Sequence, residues 1–120
     1  MILIVEDDAI VRNSLAVLLR AEGHEVMAAR DGTEALTLLN NQRFGLVITD
    51  LVMPKLNGFQ LVDQIRSKWS QTPILLISGY VSQDAGKIIL GDVAEFMCKP
   101  IDPPALIATV QRLLTPISPS

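Results

Sequence analysis

The chain has 120 residues, which is the length of one domain, and 49% of them are hydrophobic, which excludes a disordered protein. Its formal net charge is −3 at pH 7, the opposite of the basic surface that binds nucleic acids or membranes. We therefore expect one globular domain with no direct nucleic acid contact and no membrane contact.

The amino terminus and the cysteine content indicate the compartment. The segment "MILIVEDD" has no basic residue, and its apolar stretch meets Glu6 too early for a signal peptide. No apolar run approaches the length that is needed to cross a membrane. Cys98 is the only cysteine, so no internal disulfide can form, which is typical of a reducing compartment. We predict a cytoplasmic protein.

Short apolar runs alternate with helical patterns along the chain. The runs have the length of strands and cover residues 2–5, 25–29, 46–49, 73–78 and 94–98. After each run, apolar residues recur at helical spacing: Val11, Leu15, Leu18 and Leu19; Ala35, Leu36 and Leu39; Leu61, Val62, Ile65 and Trp69; Ala85, Ile88 and Ile89, a weaker stripe; and Leu106, Val110, Leu113 and Leu114. Gly23 should end the first helix, and Asp102-Pro103 should begin the last.

This alternation of strand and helix predicts an α/β fold with a parallel sheet and helices on both faces. The first, third and fourth strands are almost wholly apolar, as central parallel strands should be. The second strand has Glu25 and Arg30 at its ends and should be an edge. We expect the domain to span residues 1–115. Residues 116–120, rich in proline and serine, should form a tail or the start of a linker.

Charged and hydroxyl side chains follow four of the predicted strands. They are Glu6, Asp7 and Asp8 after the first strand, Asp50 after the third, Ser78 after the fourth and Lys99 after the fifth. The carboxyl ends of parallel strands share one edge, where α/β proteins bind ligands. Converging carboxylates repel one another, and a hard cation such as Mg²⁺ reduces that repulsion. A lysine beside them can pair with the negative charge of a phosphoryl group.

Asp50 raises the sharpest question, because a carboxylate at the end of a buried strand is costly unless it is paired or bound to a metal. The residues after it, "LVMPKLNG", contain Met53-Pro54, which breaks regular backbone, and Asn57-Gly58, which predicts a turn. Asp50 should therefore face an irregular loop at the ligand-binding edge.

Four segments, in their order and spacing, resemble a known family. They are "ILIVEDD", "LVITDLVMPKLNG", "PILLISGY" and "FMCKP". Over residues 2–114 the chain resembles the receiver domain of two-component response regulators, in particular the chemotaxis receiver. The resemblance implies a flavodoxin-like, doubly wound (βα)5 fold with a five-stranded parallel sheet of order 2-1-3-4-5.

The same resemblance implies a function in signalling. The domain would take a phosphoryl group from the phosphohistidine of a histidine kinase or histidine phosphotransfer protein, and would then control an output domain or partner protein. Such a receiver is not an enzyme in the usual sense, since it catalyses only its own phosphorylation and dephosphorylation.

Site residues are implied position by position. Asp50 matches the phosphoacceptor, and Lys99 and Ser78 match the residues that contact the phosphoryl oxygens. Mg²⁺, with Mn²⁺ as a substitute, would be bound by Asp7 directly, by Glu6 through water, by Asp50 and by the backbone carbonyl of Val52.

Further positions of the resemblance concern regulation. Ser78 and Phe96 match the residues of a conformational switch. Val52 and Tyr80 match positions that influence the water that hydrolyses the phosphate, and their side chains predict slow hydrolysis. Lys99-Pro100 matches the family's cis peptide bond. Asp8, by contrast, is interpreted as a solvated loop charge or a helix cap.

Three alternatives remain. A phosphatase of the haloacid dehalogenase type usually has a second aspartate two residues after the nucleophile, where this chain has Val52. A flavin- or nucleotide-binding module would have a glycine- or hydroxyl-rich first loop, whereas this loop is "EDDAIVR". A pseudo-receiver would act by protein interaction without phosphorylation, and only a phosphorylation assay distinguishes it.

Overall fold

The structure is a computed structural model that describes residues 1–51, 57–79 and 95–115. In chain order its strands are β1 (Ile2–Val5), β2 (Val26–Ala29), β3 (Leu46–Asp50), β4 (Ile74–Ser78) and β5 (Glu95–Cys98). Its helices are α1 (Ala9–Ala21), α2 (Gly32–Asn41), α3 (Gly58–Lys68) and α4 (Pro103–Leu114). The predicted helical stripe at Ala85, Ile88 and Ile89 and the predicted tail at 116–120 lie outside the described residues.

The strands form one parallel sheet of order β2-β1-β3-β4-β5. This confirms the expected flavodoxin-like topology, with β1, β3 and β4 in the centre and β2 at an edge. Every residue of β1, β3 and β4 is buried, because both faces of these strands are covered.

Successive side chains of a strand point to opposite faces, so the core is divided in two. In β1, Leu3 and Val5 belong to the cluster that packs against α2 and α3. Ile2 and Ile4 belong to the cluster that packs against α1 and α4. Helices therefore pack on both faces of the sheet. This packing fixes the position of the strands and so of the residues at their carboxyl ends.

Polar caps determine where the helices begin. The Asp8 side chain accepts hydrogen bonds from the N–H groups of Ile10 and Val11, so of the two interpretations of Asp8 the structure supports the cap of α1. Asp31 caps α2. Asp102 caps α4 with Pro103 as the first helical residue, and this start was predicted. Gly23, which follows the end of α1, has φ of 91°, a conformation that glycine adopts without strain.

One prediction from local sequence was wrong. Asn57-Gly58 does not form a separate turn, because Asn57 and Gln60 form a reciprocal capping box and Gly58 is the first residue of α3. None of the helices within the described ranges is both long enough and apolar enough to cross a membrane. The second strand is Val26–Ala29, with Glu25 and Arg30 at its ends as predicted, and the carbonyl of Glu25 accepts a hydrogen bond from the Ile2 N–H at 2.8 Å.

Candidate functional site

The register of the sheet brings four strand ends together. Val5 is opposite Thr49, Asp50 is opposite Ile77, and Ser78 is opposite Cys98. The residues that follow or complete these strands, Glu6, Asp50, Ser78 and Lys99, are therefore neighbours along one edge. Their chain positions are far apart, but parallel pairing aligns the carboxyl ends of all four strands.

Three carboxylates converge at this edge. Glu6, Asp7 and Asp50 each offer an oxygen, and these oxygens lie within 4.8 Å of one another. Glu6 and Asp50 are buried, with exposed fractions of 1% and 5%, whereas Asp7 is exposed. One side of the cluster is therefore enclosed by protein and the other is open to solvent.

Lys99 supplies the positive charge inside the cluster. Its ammonium nitrogen donates to Oδ2 of Asp50 at 2.8 Å and to Oε2 of Glu6 at 3.2 Å. Partial burial lowers the pKa of Lys99, but the hydrogen bonds to Asp50 and Glu6 outweigh that effect and the net shift is upward. The lysine therefore stays protonated and ties β5 to the ends of β1 and β3.

Glu6 is the carboxyl group whose ionisation is most affected. Burial, followed by the charge of Asp50, raises the pKa of Glu6 from 4.5 to about 7. The Asp8 N–H, which donates to Oε1 of Glu6 at 3.2 Å, and the nearby Lys99 act in the opposite direction without reversing the shift. Below about pH 7, protonation of Glu6 therefore reduces the excess negative charge of the metal-free site.

The donor set fits a divalent cation. If all three carboxylates are ionised, the single charge of Lys99 leaves two negative charges uncompensated, which is the charge that one divalent ion carries. All three donors are oxygens, the ligands that Mg²⁺ prefers, and the exposed side of the cluster leaves room for water ligands. Glu6, Asp7 and Asp50 are the described residues that could hold such an ion.

The backbone at the end of β3 lies close to the start of α3. The Gly58 N–H donates to the carbonyl of Leu51 at 2.9 Å, and the hydroxyl of Thr49 donates to the carbonyl of Asp50 at 3.0 Å. A Cβ atom at position 58 would lie only 2.5 Å from the Asp50 carbonyl oxygen. Gly58 is therefore required by a close approach of two backbones, a role that its sequence context did not reveal.

Ser78 and Phe96 are both buried. Ser78 ends β4, and its carbonyl accepts a hydrogen bond from the Lys99 N–H at 2.8 Å. Phe96 pairs with Leu76 in the sheet and belongs to the core cluster on the α2 and α3 side. The cis peptide bond that the resemblance implies is present between Lys99 and Pro100.

Two of the predicted site residues cannot be placed. Val52 and Tyr80 lie outside the described residues, so the carbonyl ligand and the two side chains that were predicted to influence hydrolysis stay predictions.

One further residue, Arg12, was not predicted, and its guanidinium donates to the backbone carbonyl of Glu6 at 2.9 Å.

Known proteins are similar to this chain in sequence and in fold. The model of the response regulator receiver domain family matches residues 2–111. The chain is 36% identical over 112 residues to response regulator protein FleR of Pseudomonas aeruginosa, covering 92% of this chain and 24% of that protein. It is 37% identical over 120 residues to response regulator MprA of a Mycobacterium species, covering 98% and 52% of the two chains. The chain thus spans about half or less of these two relatives.

A solved structure has a similar fold. Chemotaxis protein CheY4 of Vibrio cholerae superposes with a TM-score of 0.82 at 33% identity, covering 93% of this chain and 96% of that one. The chain belongs to the family of response regulator receiver domains of two-component signalling.

Proposed function

We propose that the domain accepts a phosphoryl group on Asp50 from the phosphohistidine of a histidine kinase or histidine phosphotransfer protein. A carboxylate oxygen of Asp50 attacks the phosphorus in line with the bond to the imidazole nitrogen. The new O–P bond forms as the P–N bond breaks, and the imidazole leaves and takes a proton from solvent. The observation that carries the proposal is the Asp50 carboxylate at the strand end, with Lys99 at 2.8 Å.

The chain's own residues would contribute mainly position and charge, as in other phosphoryl transfers. Lys99 would pair with an oxygen of the transferred group, and Ser78 would donate a hydrogen bond to it. Glu6, Asp7, Asp50 and the Val52 carbonyl would hold Mg²⁺, or Mn²⁺ in its place. The ion would neutralise charge that develops on the phosphoryl oxygens.

The proposed consequence of phosphorylation is a change of conformation that acts on an output domain or partner protein. The switch would involve Ser78 and Phe96. We propose residues 1–115 as the receiver unit, working in the cytoplasm without contacting nucleic acid itself. The lifetime of the phosphate would be set in part by Val52 and Tyr80, which the decay rates of Val52→Asn and Tyr80→Glu phosphoproteins would test against wild type.

The test of the phosphoacceptor uses acetyl phosphate as a small donor, with and without Mg²⁺. Intact-mass measurement should show one phosphate on the wild-type protein only when the metal is present. Asp50→Asn should remain unmodified, and Asp63→Asn, which alters an exposed carboxylate on α3, should be modified like wild type. A phosphate that persists on Asp50→Asn would contradict the assignment, and an unmodified wild type would favour the pseudo-receiver alternative.

A further inference from the structure

Arg12 reaches back from α1 to the loop that carries the acidic residues. Its Nη1 atom donates to the carbonyl oxygen of Glu6 at 2.9 Å and makes a longer contact, 3.4 Å, with the carbonyl oxygen of Asp7. The side chain is half-buried. Its base is fixed, because the Arg12 N–H donates to the carbonyl of Asp8 at 2.9 Å and the Asp8 side chain caps the same helix.

The two carbonyls have a particular relation to Asp7. The carbonyl of Glu6 belongs to the peptide group that precedes the Cα of Asp7, and the carbonyl of Asp7 belongs to the group that follows it. A single guanidinium that holds both groups restricts the two backbone torsions of Asp7. The direction in which the exposed Asp7 side chain leaves the backbone is thereby restricted as well.

The charge of Arg12 acts differently from that of Lys99. Lys99 hydrogen-bonds to carboxylate oxygens, which are the atoms that a cation would use. The two hydrogen bonds of Arg12 go to backbone carbonyls, so they leave the carboxylate oxygens of the cluster available. A guanidinium remains charged at every relevant pH, and its rigid plane fixes the direction of the N–H groups on Nη1, the nitrogen that contacts both carbonyls.

We propose that Arg12 is a positioning residue of the metal site, which directs the Asp7 carboxylate toward the ion by holding the peptide groups on both sides of Asp7. The inference rests on the proposed function, since it concerns the cation that Glu6, Asp7 and Asp50 would bind. It assigns to α1 a role in the site beyond the capping of its own first turn.

The direct test is Mg²⁺ binding by the full chain without any phosphodonor, measured by calorimetry or by titration of amide chemical shifts. Loss of groups that orient metal ligands typically costs about 10- to 100-fold in affinity, so Arg12→Ala should weaken Mg²⁺ binding roughly tenfold. Arg20 provides a matched control, because its Nη2 atom also donates to a backbone carbonyl, that of Val26, at 2.9 Å from the same helix. Arg20→Ala should bind Mg²⁺ like wild type.

A conservative variant separates position from charge. Arg12→Lys keeps the positive charge but replaces the rigid guanidinium by a flexible ammonium whose N–H directions are not fixed, so its Mg²⁺ affinity should stay close to that of Arg12→Ala. Wild-type affinity in Arg12→Lys would show that charge alone is responsible and would overturn the proposal. Wild-type affinity in Arg12→Ala, or an equal loss in Arg20→Ala, would overturn it too. Thermal unfolding in a metal chelator identifies any variant that is merely unfolded.

Phosphorylation kinetics provide a second readout. Because Arg12 acts through Asp7, the Mg²⁺ concentration for half-maximal phosphorylation of Arg12→Ala should rise, while the rate at saturating Mg²⁺ should approach that of wild type. A lower maximal rate with an unchanged Mg²⁺ dependence would contradict the inference. Failure of the proposed function would look different, since wild type itself would then bind no Mg²⁺ or accept no phosphate.

Discussion

The Lys99 ammonium lies 2.8 Å from Oδ2 of Asp50, although the two residues are separated by 49 positions in the chain. The same nitrogen donates to Glu6 at 3.2 Å, so one cation is shared by two buried carboxylates. This arrangement keeps the Asp50 carboxylate in a defined place at the end of β3. It also makes the three side chains energetically dependent on one another.

Removal of the shared cation should slow phosphorylation. Lys99→Ala leaves no ammonium to pair with the transferring group, and the loss of one electrostatic partner of a reacting group costs about 10²- to 10³-fold in enzymes. We expect a rate reduction of about 10²-fold in single-turnover phosphorylation at saturating Mg²⁺. Lys68→Ala, which removes an ammonium 5.9 Å above the Trp69 ring, is the control and should react at the wild-type rate. An unchanged rate in Lys99→Ala would refute this role.

Stability of the metal-free protein should depend on pH through Glu6. The pKa of Glu6 is about 7 in the folded protein and near 4.5 when unfolded, so the folded state binds this proton more tightly. Its contribution to stability is complete below about pH 4.5 and is lost as pH rises to about 7, with an amplitude of up to about 3 kcal/mol.

The difference in unfolding free energy between wild type and Glu6→Gln isolates this effect from other carboxylates. Urea unfolding in a chelator should show wild type losing stability relative to Glu6→Gln across that pH range. Mg²⁺ competes with the same proton, so its affinity for wild type should rise as pH increases through about 7. Parallel stability profiles for the two proteins would exclude Glu6 as the titrating group.

An added methyl group at position 58 should be destabilising even though alanine is normally favoured in helices. The Cβ of Gly58→Ala would lie 2.5 Å from the Asp50 carbonyl oxygen and 2.6 Å from the Cα of Leu51, so backbone must move. We expect a loss of about 1–3 kcal/mol in urea unfolding. In Gly79→Ala the nearest atom is the Cβ of Lys99 at 3.7 Å, an ordinary contact, and stability should change little. Equal stability of the two variants would contradict the steric argument.

Ser78→Ala should separate phosphorylation from the conformational response. The hydroxyl is proposed to bond to the phosphoryl group and so to bias the surroundings of Phe96. We expect phosphorylation to persist, while the amide shifts around Phe96 respond less to the phosphate mimic beryllofluoride. Ser67→Ala, an exposed position on α3, is the control. If the amide shifts of wild type and Ser78→Ala changed equally on addition of beryllofluoride, Ser78 would have no role in the switch.

The sequence by itself determined the strands, the described helices and their order. Central parallel strands are buried on both faces and must be apolar throughout, as Leu46–Ile48 and Leu75–Ile77 show. Local signals also indicated the caps, because an aspartate before a helix bonds to N–H groups only two or three residues away, as Asp8 and Asp102 do. The sheet order itself came from the family resemblance, since alternation alone is compatible with several orders.

Only the tertiary structure decided the contacts between residues that are distant in the chain. Asp50 could be expected at the ligand-binding edge, but its sharing of Lys99 with Glu6 depends on register and on the direction of each side chain. The bonds of Arg12 and the approach of Gly58 to Asp50 likewise depend on how helices meet the strand ends. Periodicity reports which face of an element is buried, whereas angstrom-scale distances arise when separate elements pack together.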